Sequence, residues 1–351
     1  MTVPRSILVF QTAFVGDVIL ALPLIQFLHE RFPESTITAV TIPAAEELLA
    51  NHPAVSRVIV YDKRGADRGL GGLKRMASRL RGEKFDAAVL PHRSLRSALV
   101  CLLAGIPSRI GFDTSAGKFL LTHAVRYRGT DHEILRNLSL AAPLGLPPPG
   151  LLYPRLYPSE ADKLAVDAFM RSSFGKDSVR RTPACIAVAP GSVWNTKRWP
   201  ESNFISLVRS LLHEKWHVVL VGGPGDRDLC SRLCAAAPDP ALADSSGRFS
   251  LLESAELLGR CAALVSNDSA PVHLAVAMRI PVVAIFGPTL PSFGFAPLGL
   301  RDRVVETAGL QCRPCSVHGG RRCPTGTFDC MNQISAVRVR NEVLAIADRD
   351  A

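Results

Sequence analysis

Val265-Ser-Asn-Asp-Ser-Ala-Pro-Val-His-Leu-Ala275 is the stretch that decides how the chain folds. The apolar run 262–265 stops at Ser266-Asn267-Asp268-Ser269, an apolar helical segment follows over 274–278, and a strand-like run follows over 281–286. Strand, polar turn, helix and strand in that order are the signature of a parallel sheet with crossover helices. In such a sheet the turn lies at the carboxyl ends of the strands, where ligands bind. The helix that starts there offers free N–H groups and a positive dipole end to an anion. Asp268 or Ser269 also suits a helix N-cap, so a turn that merely caps its helix fits this stretch as well.

The same alternation runs outward through the whole chain. In the first half, apolar strand runs at 7–10, 37–40, 57–61 and 87–90 are separated by helical segments at 18–28, 44–50 and 70–81, and a helix at 97–104 follows. The first turn, 11–17, holds Gly16, which permits a close approach, and Asp17, which is either an N-cap or a carboxylate presented to a ligand. A dinucleotide fingerprint would need further glycines there, and they are absent. The turn after 87–90 carries His92, Arg93 and Arg96, the cationic groups a phosphate or acidic sugar would need.

From 142 to 158 proline is so frequent that both periodicities fail, and this stretch reads as an extended linker. The expected division is 1–150 and 151–351, two α/β domains with a ligand cleft between them. Strand runs at 184–189 and 217–221, helices at 200–212, 228–236 and 249–258, and the opening stretch make up the second half. Three of its strand ends carry small or polar turns: Pro190-Gly-Ser192, Gly222-Gly223-Pro-Gly and Asn267-Asp-Ser269. Converging on one sheet edge, with Lys197 and Arg198 beside them, they suit a nucleotide diphosphate.

The chain has 351 residues and a formal charge of +10, and its 47% hydrophobic and 21% charged content is that of a globular protein. No apolar run approaches the roughly 20 residues of a membrane span, and the N-terminus has no signal-peptide layout, so a cytoplasmic location is expected. Between Arg57 and Arg109 there are 12 Lys or Arg against 4 Asp or Glu. Such a surface attracts phosphorylated substrates or anionic lipid. Nucleic acid is disfavoured, because no aromatic interleaving or nucleic-acid motif accompanies the charge. Four of the nine cysteines, Cys312, Cys315, Cys323 and Cys330, cluster near the end with a spacing open to zinc, free thiols or reversible disulfides.

Four motifs in order, Leu8-Val-Phe-Gln-Thr-Ala-Phe-Val-Gly-Asp-Val18, Ala189-Pro-Gly-Ser-Val-Trp-Asn-Thr-Lys-Arg-Trp-Pro-Glu201, Val221-Gly-Gly-Pro-Gly-Asp226 and Val265 to His273 with Phe286-Gly-Pro-Thr289, resemble bacterial lipopolysaccharide heptosyltransferases. The likeness is strongest to the ADP-heptose:LPS heptosyltransferase II branch and extends over nearly the whole chain. It implies the GT-B architecture, two Rossmann-like parallel-sheet domains facing an interdomain cleft, the first binding acceptor and the second nucleotide-sugar donor, with the C-terminal helix expected to pack back on the first. It implies an inverting enzyme that moves L-glycero-D-manno-heptose from ADP-heptose to the lipopolysaccharide inner core without a required metal. By position, Asp17 matches the general base, Lys197 the phosphate-contacting lysine, and Asp268 with His273 the residues that hold heptose and phosphates, while Ser269 matches a small hydroxyl residue of the same turn. Ser192, Arg198, Gly222 and Gly223 complete the expected donor site, and His92, Arg93 and Arg96 the acceptor side, where they would also guide the enzyme to an anionic inner-membrane surface. Another nucleotide-sugar enzyme of this architecture, such as an epimerase, and a non-catalytic nucleotide or membrane-surface binder are the competing readings.

Overall fold

A computed structural model describes residues 3–175 and 185–347. The chain divides into two units, Met1–Tyr157 and Pro158–Ala351, with the division inside the proline-rich stretch.

In the first unit the order is β1 (Ser6–Phe10), α1 (Val15–Arg31), β2 (Thr36–Thr41), α2 (Glu47–Ala50), β3 (Arg57–Val60), α3 (Gly69–Glu83), β4 (Ala87–Leu90), α4 (Leu95–Leu103), β5 (Ser108–Phe112), β6 (His123–Val125) and α5 (Glu133–Ser139). The strands form one sheet in the order β3-β2-β1-β4-β5-β6, every pair parallel. Ile7, Leu8, Val9 and Phe10 are all buried because helices cover both sheet faces, which is why β1 reads as an unbroken apolar run. Helix α3 shows the opposite pattern. Leu73, Met76, Ala77 and Leu80 lie at helical spacing and are buried, so Lys74, Arg75, Arg79 and Arg81 are displayed outward.

The second unit repeats the plan with α6 (Glu160–Phe174), β7 (Cys185–Ala189), α7 (Glu201–His213), β8 (His217–Leu220), α8 (Arg227–Ala236), β9 (Leu242–Asp244), α9 (Leu251–Gly259), β10 (Ala263–Asn267), α10 (Ala270–Ala277), β11 (Val282–Phe286), β12 (Arg303–Glu306), α11 (Asp329–Asn332) and α12 (Ala336–Ile346). Its parallel sheet runs β12-β11-β10-β7-β8-β9. Each sheet thus has its first strand beside its fourth, the Rossmann order, with a switch point between β1 and β4 in one unit and between β7 and β10 in the other. The fold class is α/β with two Rossmann-like units, as expected of the GT-B class.

One detail differs from expectation. Helix α10 begins at Ala270 rather than at 274, since Pro271 is tolerated in a first turn. Ala184, the expected first residue of β7, lies outside the described residues. The C-terminal helix α12 buries Val339, Val343 and Ile346 in the core of the second unit, with Trp199, Phe204 and Val283.

Candidate active site at the two switch points

In the second unit, Asn267 ends β10 fully buried, accepts from Trp199 N at 3.0 Å and donates through Nδ2 to Pro190 O at 2.8 Å. These bonds tie the end of β10 to the loop after β7, and so bring Lys197 to Asp268. Lys197 Nζ donates to Asp268 Oδ2 at 2.5 Å, and Thr289 Oγ1, from the turn after β11, donates to the same oxygen at 2.7 Å. The lysine and aspartate side chains are only 12% and 10% exposed, so this pair is screened far less than a surface salt bridge. His273, one turn along α10, is buried beside the pair, and burial pulls its pKa down to about 4, so it stands there as a neutral imidazole at pH 7.

The capping alternative for this turn does not hold for Ser269. Its hydroxyl turns back to Asn267 O at 3.2 Å and makes no cap bond to α10, whereas Ser159, Ser250 and Ser335 cap α6, α9 and α12. In that first turn Pro271 has no N–H, and Val272 N donates to the Ser269 carbonyl at 3.1 Å. The other turns converge as expected. A Cβ on Gly191 would lie 2.1 Å from Asp226 Oδ1 and one on Gly222 2.7 Å from Asp226 Cβ, so a side chain at either position would have to push Asp226 aside. Gly223 N donates to Asp226 Oδ2 at 2.9 Å. Ser192 and Arg198 belong to the frame of the Lys197 loop: Ser192 Oγ accepts from Trp194 N at 3.3 Å and Arg198 Nε donates to Ser192 O at 2.8 Å.

The four-cysteine segment builds one wall of this site. Thr196 N donates to Gly320 O at 3.0 Å and Gly320 N to Thr196 Oγ1 at 2.7 Å, Cys315 N donates to Pro288 O at 3.0 Å, and Arg313 Nη2 donates to Thr289 O at 2.7 Å. Gly319, at φ +91°, passes so close that a Cβ would stand 3.1 Å from Lys197 Cγ. Among the described residues, no three His, Cys, Asp or Glu side chains are grouped so as to hold a metal. Burial holds the Cys330 thiol up at about 11, while the Thr325 hydroxyl and backbone amides pull Cys323 below the usual thiol range.

At the switch point of the first unit, Asp17 lies in the first turn of α1, half-buried, and its Oδ2 accepts from Phe14 N at 3.1 Å. It therefore both caps α1 and stands at the ligand edge. His92 Nδ1 lies 3.3 Å from Thr12 Oγ1, and burial, with Lys63 and Arg93 adding to it, lowers its pKa to about 4. His92 is consequently not one of the cationic groups expected of this loop. Arg96 donates to Tyr61 Oη, Asp67 O and Gly69 O, and so holds its neighbours in place, while Arg93 lies 4.3 Å over the Tyr127 ring.

The profile of glycosyltransferase family 9 (heptosyltransferase) matches residues 73–323. The chain belongs to this family. It is 30% identical over 317 residues to lipopolysaccharide heptosyltransferase 2 of Salmonella typhimurium, spanning 86% of this chain and 88% of that relative. Among solved structures, it is similar to E. coli ADP-heptose LPS heptosyltransferase II, with a TM-score of 0.78, 27% identity and coverage of 97% and 98% of the two chains. A family 9 glycosyltransferase from Veillonella parvula, 23% identical with a TM-score of 0.83 over 97% of each chain, shares the fold.

For a family 9 glycosyltransferase, several site neighbours have no role assigned by the sequence. Thr289 and Asn267 look like ordinary turn residues until their bonds to Asp268 and the Lys197 loop are seen. Near Asp17, Glu133 of α5 is buried with Arg136 at 2.8 Å. Burial raises the Glu133 pKa against the pull of that arginine, and the charge of Asp17 adds to the rise. A helical i, i+3 charge pair ordinarily signals a solvated face, which hides this one. Lys63 Nζ, from the loop after β3, donates to Thr12 O at 2.5 Å and adds a positive charge to the same edge.

Proposed function

We propose that this family 9 glycosyltransferase transfers L-glycero-D-manno-heptose from ADP-heptose to the inner core of lipopolysaccharide with inversion and without a required metal. The observation that carries the reading is the Lys197–Asp268–Thr289 constellation at the second switch point, at the start of α10. The leaving diphosphate needs positive charge as the glycosidic bond breaks, and Lys197 supplies it. Asp268 and His273 take the sugar side of the donor. The acceptor hydroxyl must lose a proton as its oxygen attacks the anomeric carbon, and Asp17 is the carboxylate for that task. Relatives named lipopolysaccharide heptosyltransferase support the donor and acceptor classes. Family membership sets aside the epimerase and binding-protein readings.

A peripheral position on the cytoplasmic face of the inner membrane is part of the same proposal. Its support is the outward basic face of α3, with Lys74, Arg75, Arg79 and Arg81. Among the described residues no helix is long and apolar enough to cross a membrane.

ADP release with ADP-heptose and heptose-deficient lipopolysaccharide tests the reaction, and Asp17→Asn tests the base. The variant should keep its ADP affinity and lose turnover by at least a hundredfold. Retained turnover in Asp17→Asn removes the base assignment, and no release by the unaltered enzyme removes the donor. Charge reversal at Lys74 and Arg79 should weaken binding to anionic vesicles; equal binding rejects the membrane-facing role of α3.

A further inference from the structure

A cavity of about 380 Å³ opens at the carboxyl ends of β11 and β12, beside the turn that carries Thr289. Leu290, Pro291, Ser292, Glu306 and Arg313 are among its lining residues. It lies at the ligand edge of the parallel sheet, yet none of the motif residues assigned to the donor lines it. Arg313 is the unusual member. Its side chain is 5% exposed, Nη1 donates to Thr307 O and Nη2 to Thr289 O and Glu306 Oε2, but Nε is buried with no partner among the protein groups. A buried guanidinium N–H without an acceptor is costly, so Arg313 is held in this wall at the expense of stability, as a group kept for a function is.

We propose that this cavity is a sugar-hydroxyl subsite that takes the exocyclic two-carbon glycol arm of the donor heptose. The inference rests on the heptosyl-transfer reading above. The charge balance selects the ligand class: Glu306 neutralises Arg313 at 2.5 Å, so the wall attracts a neutral polyol rather than a second anion. A carboxylate, a guanidinium and the Ser292 hydroxyl together supply acceptors and donors in the mixture that vicinal hydroxyls require. Position selects the donor over the acceptor sugar. Arg313 bonds the carbonyl of Thr289, whose hydroxyl in turn bonds Asp268, so the cavity wall and the donor carboxylate are joined through one residue. The arm is also what distinguishes the heptose from its hexose counterpart, mannose, and a site that hydrogen-bonds a hydroxyl discriminates strongly against a substrate lacking it.

The test uses the full-length enzyme with heptose-deficient lipopolysaccharide and two donors, ADP-heptose and ADP-mannose. Glu306→Gln alters the ion pair, and Ser292→Ala leaves it intact, so a folding defect in the first does not obscure the second. Each variant should lose roughly tenfold in kcat/KM for ADP-heptose and less than twofold for ADP-mannose. Equal losses for both donors, no loss for either, or a change confined to the acceptor KM would overturn the subsite. Absence of turnover with ADP-heptose in the unaltered enzyme would instead strike the underlying reading.

Discussion

Lys197 Nζ and Asp268 Oδ2 meet at 2.5 Å although 71 positions separate them, and Thr289 Oγ1 holds the same carboxylate oxygen at 2.7 Å. The lysine is thereby aimed by a carboxylate that is itself fixed from a third strand end. Lys197→Met should lower donor kcat/KM by about a hundredfold, the scale of one lost charge-stabilising contact. It should also lower the melting temperature, because Asp268 is left buried without its cation. Adding Asp268→Asn should restore part of the stability and none of the activity. Unchanged donor kinetics in the single variant would remove Lys197 from the site.

Thr289 is placed to position rather than to react. Thr289→Val removes the bond to Asp268 at nearly constant volume, at a cost of about 1.5–3 kcal/mol for a hydrogen bond to a charged group. The expected result is a tenfold to hundredfold fall in donor kcat/KM that Thr289→Ser largely restores. A serine variant as impaired as the valine one would show that the methyl group, and not the hydroxyl, matters.

These residues also show where the sequence is readable. Strands β1, β4, β7 and β10 are buried on both faces and so appear as apolar runs, and the turns at their ends follow directly. Strands β6, β9 and β12 at or near the sheet edges have three or four residues each, too few to display a period. Asp17, Lys197 and Asp268 were legible as chemistry-bearing residues at strand ends, but their partners were not. Arg96 looks in sequence like a free surface cation, and only the fold reveals Tyr61 Oη and two carbonyls around it. Glu133 and Arg136 have the spacing of an exposed pair and are buried, because α5 packs against α1.

His273 makes the fold sensitive to acid. Its folded pKa, about 4, lies below the 6.5 of the unfolded chain. Between those values the unfolded state binds more protons, so stability falls as pH drops from 6.5 toward 4, by up to about 1.4 kcal/mol per pH unit, and is flat above 6.5. His52, also lowered to about 4 by burial, acts in the same direction. Melting temperatures from pH 7.5 to 4.5 should decline below pH 6.5 in the unaltered protein and less steeply in His273→Gln. Parallel curves would refute the assignment.

The ion pair of Glu133 and Arg136 should prove necessary to the first unit. Arg136 also donates to Tyr127 Oη and to the carbonyls of Arg128 and Gly129, so Arg136→Met strands a buried carboxyl and three acceptors. The expected loss is about 3–5 kcal/mol, read as a lower melting temperature. Glu133→Gln in the same chain should recover part of it. No recovery would mean that the carbonyl bonds, rather than the carboxylate, set the cost.

Among the nine cysteines, reactivity should follow environment and not position in the chain. Cys323 is exposed enough to meet reagent, and its thiolate is favoured by the Thr325 hydroxyl and by backbone amides of Thr325, Gly326 and Phe328. Burial raises Cys101 and Cys230 to about 12 and Cys330 to about 11, so their thiolates are scarce at neutral pH. The thiolate is the nucleophile, and limited iodoacetamide at pH 7.5 should therefore alkylate Cys323 first, as peptide mapping would show. Because Gly319 and Gly320 of the same segment press against Lys197 and Thr196, full alkylation of the segment should weaken ADP binding, and bound ADP should slow labelling there. If Cys330 were labelled as fast as Cys323, or if labelling were indifferent to ADP, the segment would not be the wall of the proposed donor site.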